Sequence, residues 1–398
     1  MSTATVSSTD QGFSLLRLWR NKESRSVIIQ IITVAVLFAF FAFLISNAAT
    51  NLERIGKNYN FAFLWEASNY DISQTMIAYT SQSSNFQAMI VGILNTLMVA
   101  IFGIITATLL GFFMGVVRLS NNFVANRMVY CVIEFIRNVP VLLHIVLIYG
   151  IVVNVLPHPK AAMNLADTFF LSNRGLYFPA PEFGDAFIFV TISFVAGIIG
   201  AFLFARHAHK VQDETGKALP VFWASLGFII GLPVVVYFIS GMPLEWIPAT
   251  QGKFNLKGGM PLKPEFLALW LALSVYTACF IAEIVRAGIV AIDYGQTEAA
   301  HALGISSGRS TQLVIIPQAL RVIIPPLTSQ YLNLTKNSSL AIAVGYMDIM
   351  GTIGGVSLNQ TGREMECMTI VLVLYLAMSL MIPAFLNWYN SRIKLVER

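Results

Sequence analysis

Side chains that could do chemistry are sparse in this sequence and poorly spaced for catalysis. The five histidines (His144, His158, His207, His209, His301) are dispersed, and His207 with His209 reads as a solvated loop pair. Cys131, Cys279 and Cys367 form neither a disulfide framework nor a metal-ligand spacing, so no metal site is expected. There is no His-x-x-x-His or paired aspartate of the kind an intramembrane enzyme would need. A Gly-x-x-x-x-Gly-Lys-Ser/Thr phosphate cradle is also absent: Gly304–Gly308–Arg309 has the wrong spacing, and Gly351–Gly355 reads as a flexible or tightly packed turn. Two features remain. One is the pair Glu283 and Arg286, and the other is the stretch Glu298-Ala299-Ala300-His301-Ala302-Leu303-Gly304, with Pro317 thirteen residues past the glycine.

That stretch predicts a short, stiff helix for pushing rather than for bond chemistry. Thr297 can cap a helix that begins at Glu298, and a carboxylate in the first turn complements the helix dipole. Ala299, Ala300 and Ala302 combine high helix propensity with little bulk, so another surface can approach closely. Gly304 can take the left-handed conformation that ends the helix. Ser306 or Ser307 then starts a second segment toward Gln318, and Pro317 bends the chain back.

The rest of the chain must hold this stretch in a membrane. Of 398 residues, 56% are hydrophobic and 11% charged, against about 25% charged in soluble domains. Mean hydropathy is +0.70. Eight segments approach the roughly 20 apolar residues a spanning helix needs: about 27–45, 88–117, 132–156, 186–205, 219–240, 266–290, 320–333 and 368–388. The seventh is short and polar. With both termini inside, sixteen of the 25 Lys and Arg residues fall on the inner side, which fits the positive-inside rule and places Glu298 inside as well. The net charge of +5 is thus a topology signal and not a nucleic-acid footprint. The first apolar run is too long for a signal-peptide core, despite a faint cleavage-like Ser46-Asn47-Ala48, and an uncleaved helix is expected.

The predicted fold class is an all-α polytopic helical bundle of about eight transmembrane helices. Residues 1–26 and 391–398 read as cytoplasmic tails. Residues 46–87 read as an outer loop with an interfacial amphipathic segment, and 157–185 and 241–264 as loops. Glu283 and Arg286 share a helix face and can neutralise each other as a structural or gating pair, or one of them contacts substrate. Asn95 and Thr96 are expected to make helix–helix hydrogen bonds. The segment Pro325 to Ser339, with Thr328, Gln330, Asn333, Lys336 and Asn337, would be costly facing lipid. A broken polar helix there is expected to line the bundle centre. Lys336 and Asn337 either greet a substrate carboxylate or cap a helix end.

The Glu298 stretch, closed by Val314-Ile315-Ile316-Pro317, resembles the cytoplasmic "EAA" loop of permease subunits of bacterial ABC importers. Other segments resemble the polar amino acid permeases of that class. They are Ile133 to Pro140 ("EFxRxxP"), Tyr276 to Gly288 ("YTAxxxAEIxRxGI"), and Pro317 to Leu340 ("PQALRxxxPPLxNxxxxLxKxTSL"). The match covers about 88–156 and 265–390, near half the chain. It implies a five-span importer core over 88–390, enlarged here by the extra span at 27–45 and by an insertion at 157–264 that holds two more spans. That layout resembles the longer permease of general L-amino acid importers. The resemblance implies a bacterial inner-membrane transport subunit without enzymatic activity or cofactor of its own, with ATP and Mg on a partner ATPase dimer. A second permease subunit, a periplasmic amino acid-binding protein and membrane lipid would be its other partners, and nucleic acid would not. Glu298, Ala299, Ala300, Gly304 and Pro317 would form the ATPase-coupling loop. An ion-coupled secondary transporter is the alternative; it asks for an inverted repeat and acidic midplane residues, for which only Glu283 offers itself.

Overall fold

Backbone groups inside hydrocarbon must be satisfied within their own segment, so long apolar runs become helices. The computed structural model describes residues 22–54, 59–166, 168–217, 219–252 and 255–393. The basic tail expected at 1–26 lies outside the described residues up to residue 21, as does the terminal tail from residue 394. Among the described residues, seven helices are long and apolar enough to cross a membrane, and eight result when one bent pair counts as a single span. Two units are distinguished, one ending at Leu64 and one starting at Trp65. The first holds α1 (Lys22–Arg54), an apolar helix longer at both ends than the expected 27–45.

The second unit is built around α2 (Asn85–Val117) and α7 (Pro264–Val290), its most extensively packed pair. Ser84 caps α2 by accepting from the Gln87 N–H at 3.2 Å. Along α2 the small residues Gly103, Ala107, Gly111 and Gly115 recur every fourth position and are buried. A Cβ added to Gly111 would stand 2.6 Å from Ile281 Cβ and 3.0 Å from the Ala278 carbonyl oxygen. One added to Gly115 would stand 2.8 Å from the Ala282 carbonyl oxygen. This is small-residue packing that lets two membrane helices touch along their backbones. Because Gly111 meets Ala278 and Ile281 while Gly115 meets Ala282 and Val285, the two helices run parallel. Their C-terminal ends therefore lie on the same side.

The expected third span is not straight. α3 (Phe123–Arg137) and α4 (Val141–Asn154) meet at 104° across Asn138-Val139-Pro140. Pro140 disfavours helical geometry at Val139 and supplies no N–H, so the helix ends before it. α4 and α9 (Ser307–Val344) complete the layer on α7, with Ile145, Ile323, Leu334 and Tyr346 buried in the common core. α10 (Glu364–Ile393) packs against α9 and the turn that precedes it.

Two expected loops contain strands. β1 (Met163–Leu165), β2 (Phe169–Ser172), β3 (Gly175–Phe178) and β8 (Met260–Leu262) form an antiparallel sheet in the order β1-β2-β3-β8. β4 (Ala180–Phe183) pairs with β5 (Leu244–Ile247), and β6 (Thr250–Gln251) with β7 (Leu256–Lys257). Phe170, Tyr177, Ala249 and Leu256 form a small core there. The segment after Trp65, expected as an outer loop with an interfacial amphipathic stretch, instead packs on α2. Tyr70 and Ile72 pack on Ala88 and Val91 of α2, and Ala67 bridges Ser84.

The inserted helices α5 (Phe187–Thr215) and α6 (Val221–Ile239) rise between β4 and β5. Their turn is shorter than the expected 206–217 loop, because α5 runs on to Thr215. Ser193, Gly197 and Ala201 are buried at four-residue spacing, and a Cβ on Gly197 would reach the Phe228 carbonyl oxygen. Among the described residues, the pair packs on itself and makes no substantial contact with α2, α4, α7 or α9. Replacing residues 186–240 by a turn joining Asp185 to Gly241 would leave β4 and β5 paired. The truncated chain is expected to insert in the same orientation, since an even number of spans is removed, and to keep its substrate preference in uptake assays. A stably assembled truncation with altered preference contradicts the peripheral placement.

Candidate coupling loop and polar network

α8 (Tyr294–Ala302) follows α7 after only three residues. It starts earlier than the sequence indicates, because Asp293 and not Thr297 is its cap, accepting from the Gly295 N–H at 2.8 Å. Glu298 therefore sits beyond the first turn, and the dipole gains little from it. At the other end Gly304 has φ +75°, and two bonds close the helix: Gly304 N–H to the His301 carbonyl at 2.9 Å and Ile305 N–H to the Ala300 carbonyl at 3.0 Å. This paired closure is the Schellman arrangement, which needs a left-handed residue at that point. Ala300 and Ser310 are buried, which packs α8 onto the start of α9. Glu298, Ala299, Ala302 and Gly304 are exposed, together with Tyr294 at 72% and Leu303 at 80% exposure. The loop thus offers a small apolar surface ringed by polar residues. Gln318 Nε2 donates to Gln296 Oε1 at 3.3 Å and ties α8 to the base of α9. Pro317 does not bend the chain back as expected. A π turn at Thr311–Ile315 comes just before it, and the helix continues through.

Glu283 and Arg286 form a two-pronged ion pair on α7, with Arg286 Nε 3.0 and 3.1 Å from the two carboxylate oxygens. Both side chains are half-buried. In α9 the prolines Pro325 and Pro326 lie inside a continuous helix, so the expected break is not there. Beyond the π turn the geometry changes only at Ser338, where the helix tightens to a 3₁₀ form that ends at Gly345. Thr328, Gln330 and Asn337 are partly buried, while Asn333 and Lys336 are exposed. Val322, Pro325, Ser329, Asn333 and Lys336 make one uncovered face, and Ile323, Leu327 and Leu334 the buried one.

The largest buried polar assembly was not anticipated. Asp348 follows α9 and is fully buried; it accepts from the Gly351 N–H at 2.8 Å and from Tyr375 Oη at 2.9 Å. Asn95 Nδ2 donates to the Gln74 carbonyl at 2.9 Å and to the Met347 carbonyl at 2.8 Å. Thr96 Oγ1 accepts from the Ile349 N–H at 3.2 Å, and Tyr346 Oη donates to the Asn95 carbonyl at 3.1 Å. Ser357 Oγ donates to Asn85 Oδ1 at 2.7 Å and lies 3.0 Å from Tyr70 Oη. The network binds the first turns of α2 to the outer segment and to the turns between α9 and α10. Burial pushes the Asp348 carboxyl up to about 6, although its two hydrogen bonds pull the other way.

Residues 214–395 match the family described as binding-protein-dependent transport system inner membrane component. The general L-amino acid transport system permease protein AapQ of Rhizobium johnstonii is 45% identical over 387 residues, covering 97% of this chain and 96% of that protein. The putative amino-acid ABC transporter permease protein YhdX of Escherichia coli is 45% identical, covering 95% of this chain and 96% of that protein. The glutamate/glutamine/aspartate/asparagine transport system permease protein BztB of Rhodobacter capsulatus is 43% identical, covering 97% and 98% respectively. The chain belongs to the amino acid ABC transporter permeases. Its relatives are transport subunits rather than enzymes, and the matched family is an inner-membrane component that works with a binding protein.

Within this permease, Asn95 and Thr96 do not make the expected helix–helix hydrogen bonds; their partners are backbone groups of turns. A lone acid, Asp348, in the apolar run from Ala341 to Ile353 was the signal available for the network. The Gly351–Gly355 turn is packed, with Gly351 and Gly354 buried.

Gly304 has nothing within 4 Å of a built Cβ, so a substitution there tests conformation alone. Gly304→Val should cost about 1–2 kcal/mol of local strain and depress uptake and coupled ATPase activity at normal expression. Gly304→Asn, which tolerates the left-handed region, should retain most of both. Equal activity in the valine variant and the parent would refute a need for this closure.

Asp348 also sets a pH dependence. Its folded pKa lies above the unfolded value, so the folded permease holds the extra proton in the window between the two. Its contribution to stability therefore falls as pH rises from about 4 to about 6 and is level above. Thermal unfolding of the detergent-solubilised permease should show this slope, and Asp348→Asn should flatten it. An unchanged slope in the variant would remove Asp348 as its source.

Proposed function

We propose that this permease subunit moves L-amino acids from periplasm to cytoplasm, driven by a separate ABC ATPase that grips the loop at α8. The single observation that carries the reading is the form of that loop. It is a capped helix of nine residues, closed at Gly304, exposing Tyr294, Glu298, Ala302 and Leu303, and joined to α7 by three residues. Closure of the nucleotide-bound ATPase dimer would displace α8 as a rigid lever, and α7 with its neighbours would swing between outward- and inward-open states. ATP and Mg belong to the ATPase. The importer core is read as α2, α3 with α4, α7, α9 and α10, with both termini cytoplasmic. The sheets and the α5–α6 pair are read as an insertion outside this core.

A second permease subunit is proposed to cover the open face of α9. Pro325, Ser329, Asn333 and Lys336 there would be poorly served by lipid, and they fit a shared translocation path. Glu283 and Arg286 act in this reading as a gating or structural pair. The relatives' names, for general L-amino acids and for glutamate, glutamine, aspartate and asparagine, support a broad or polar amino acid specificity.

One observation favours weighing an ion-coupled carrier beside this: Asp348 is a buried acid. Both of its oxygens are already engaged by Gly351 and Tyr375, which suits bracing better than ion transit. Proteoliposomes separate the two. Uptake of radiolabelled amino acid should require the ATPase, internal ATP and the binding protein, and should survive collapse of ion gradients. Uptake by the permease alone down a proton or sodium gradient would overturn the importer reading.

A further inference from the structure

We propose that the concavity where α2 turns into α3 holds the phosphate of an anionic phospholipid. It measures about 340 Å³ and is lined by Arg118, Ser120, Asn121, Asn126, Arg127 and Tyr130, with Phe123 at its lip. Both guanidinium groups lie against one ring, Arg118 at 4.6 Å and Arg127 at 5.2 Å from the Tyr130 centroid. Among the described residues neither arginine has a carboxylate within ion-pair distance. Glu283, which interacts electrostatically with Arg118, is already held by Arg286. Arg118 spends one N–H on Asn126 Oδ1 at 2.9 Å, and its buried Nε has no hydrogen-bond partner among the described residues. Two cations facing the same hollow repel each other, and a phosphate between them would satisfy both through charge-assisted bonds.

The surroundings select a lipid over an acidic protein surface. α2 is an apolar spanning helix that stops at Arg118, so the hollow sits where hydrocarbon gives way to headgroups. α3 leaves at a steep angle to α4, as a helix lying along the interface would. It presents Phe123, Val124 and Met128 at 80%, 63% and 65% exposure beside the hollow. Acyl chains would cover these side chains while the phosphate meets the arginines. Because α2 and α7 run parallel, the hollow lies on the same side as α8. A headgroup there would fix the elbow at the α2–α3 junction close to where the ATPase is proposed to act. Basic pockets at the inner ends of membrane helices take anionic headgroups on this logic.

The test is native mass spectrometry of the full-length permease in neutral detergent, titrated with phosphatidylglycerol, phosphatidylethanolamine or inorganic phosphate. Phosphatidylglycerol should be retained in preference to phosphatidylethanolamine. Arg118→Gln and Arg127→Gln should each weaken that retention about fivefold, the factor expected per basic residue, while Arg174→Gln on the outer hairpin should not. Arg127 is exposed, so its variant decides the matter should Arg118→Gln fail to fold. Equal retention of the two lipids, or retention indifferent to Arg127→Gln, would overturn the site. So would full displacement of the lipid by millimolar phosphate, which would make it a free-anion site. Loss of ATPase co-purification with lipid retention unchanged would mark a protein surface and also overturn it.

Discussion

The backbone-to-backbone contact of α2 with α7 is the constraint on which the rest of the molecule depends. Lipid tails are as apolar as leucine, so burying apolar surface does not hold two membrane helices together. Close packing and the hydrogen bonds it permits must do so. Gly111 and Gly115 give α2 a flat stripe that α7 meets with Ala278, Ile281, Ala282 and Val285, while Gly103, two turns earlier, faces Leu334 of α9. Adding a methyl group at Gly111 or Gly115 would force the helices apart, since the obstructing atoms include backbone carbonyls that cannot swing aside. A contact this close permits little independent movement of α7 against α2. The three residues between α7 and α8 then leave little slack for a displacement of α8 to dissipate.

The two ends of α2 are held differently, and the difference has physical consequences. Near Gly92, Asn95 and Thr96, hydrogen bonds reach the Tyr346 to Ile349 turn and the Gln74 carbonyl, and the region is sealed from solvent. Polar groups buried to this degree are costly if any one partner is lost, so the network specifies one arrangement of these segments. Burial raises the Tyr70 and Tyr346 phenols above their ordinary range, which keeps both as neutral donors and acceptors. At the Arg118 end the cations are only partly enclosed, and α8 is exposed. One end is thus closed and internally satisfied, while the other is open to binding.

What the sequence made legible follows from which interactions are local. The helices of the bundle and the closing glycine at Gly304 depend on apolar runs and on one special backbone position, and both can be read from short windows. The cap of α8 was misplaced because Asp293 and Thr297 are both competent caps, and the choice lies with how α7 ends. The bend at Asn138-Val139-Pro140 hid inside an apolar run that continues across it. The strands were missed because each is at most four residues long, and two of the pairings, β3 with β8 and β4 with β5, join segments far apart in the chain, as Leu176 joins Leu262. The Asp348 network joins residues more than 250 positions apart, such as Asn95 and Met347, and no local pattern announces it. The α2 stripe was readable at four-residue spacing, but it acquires meaning only once α7 is known to face it.

The uncovered face of α9 is what supports the proposal of a second subunit. α7 buries most of its circumference, touching α2, α4 and α9 in turn. Between Ile316 and Asn337, α9 buries only Ala319, Ile323, Leu327, Leu334 and Thr335. Its opposite side combines two prolines with serine, asparagine and lysine, residues that favour neither lipid nor a dry helix contact. Pro325 and Pro326 leave carbonyls of the preceding turn without their usual donors, a defect that water or a polar neighbour can repair and acyl chains cannot. A helix carrying such a face at membrane depth is stable where a second protein surface or an aqueous path lies against it. The same residues that make α9 a poor lipid-facing helix make it a suitable wall for a path that polar solutes must cross.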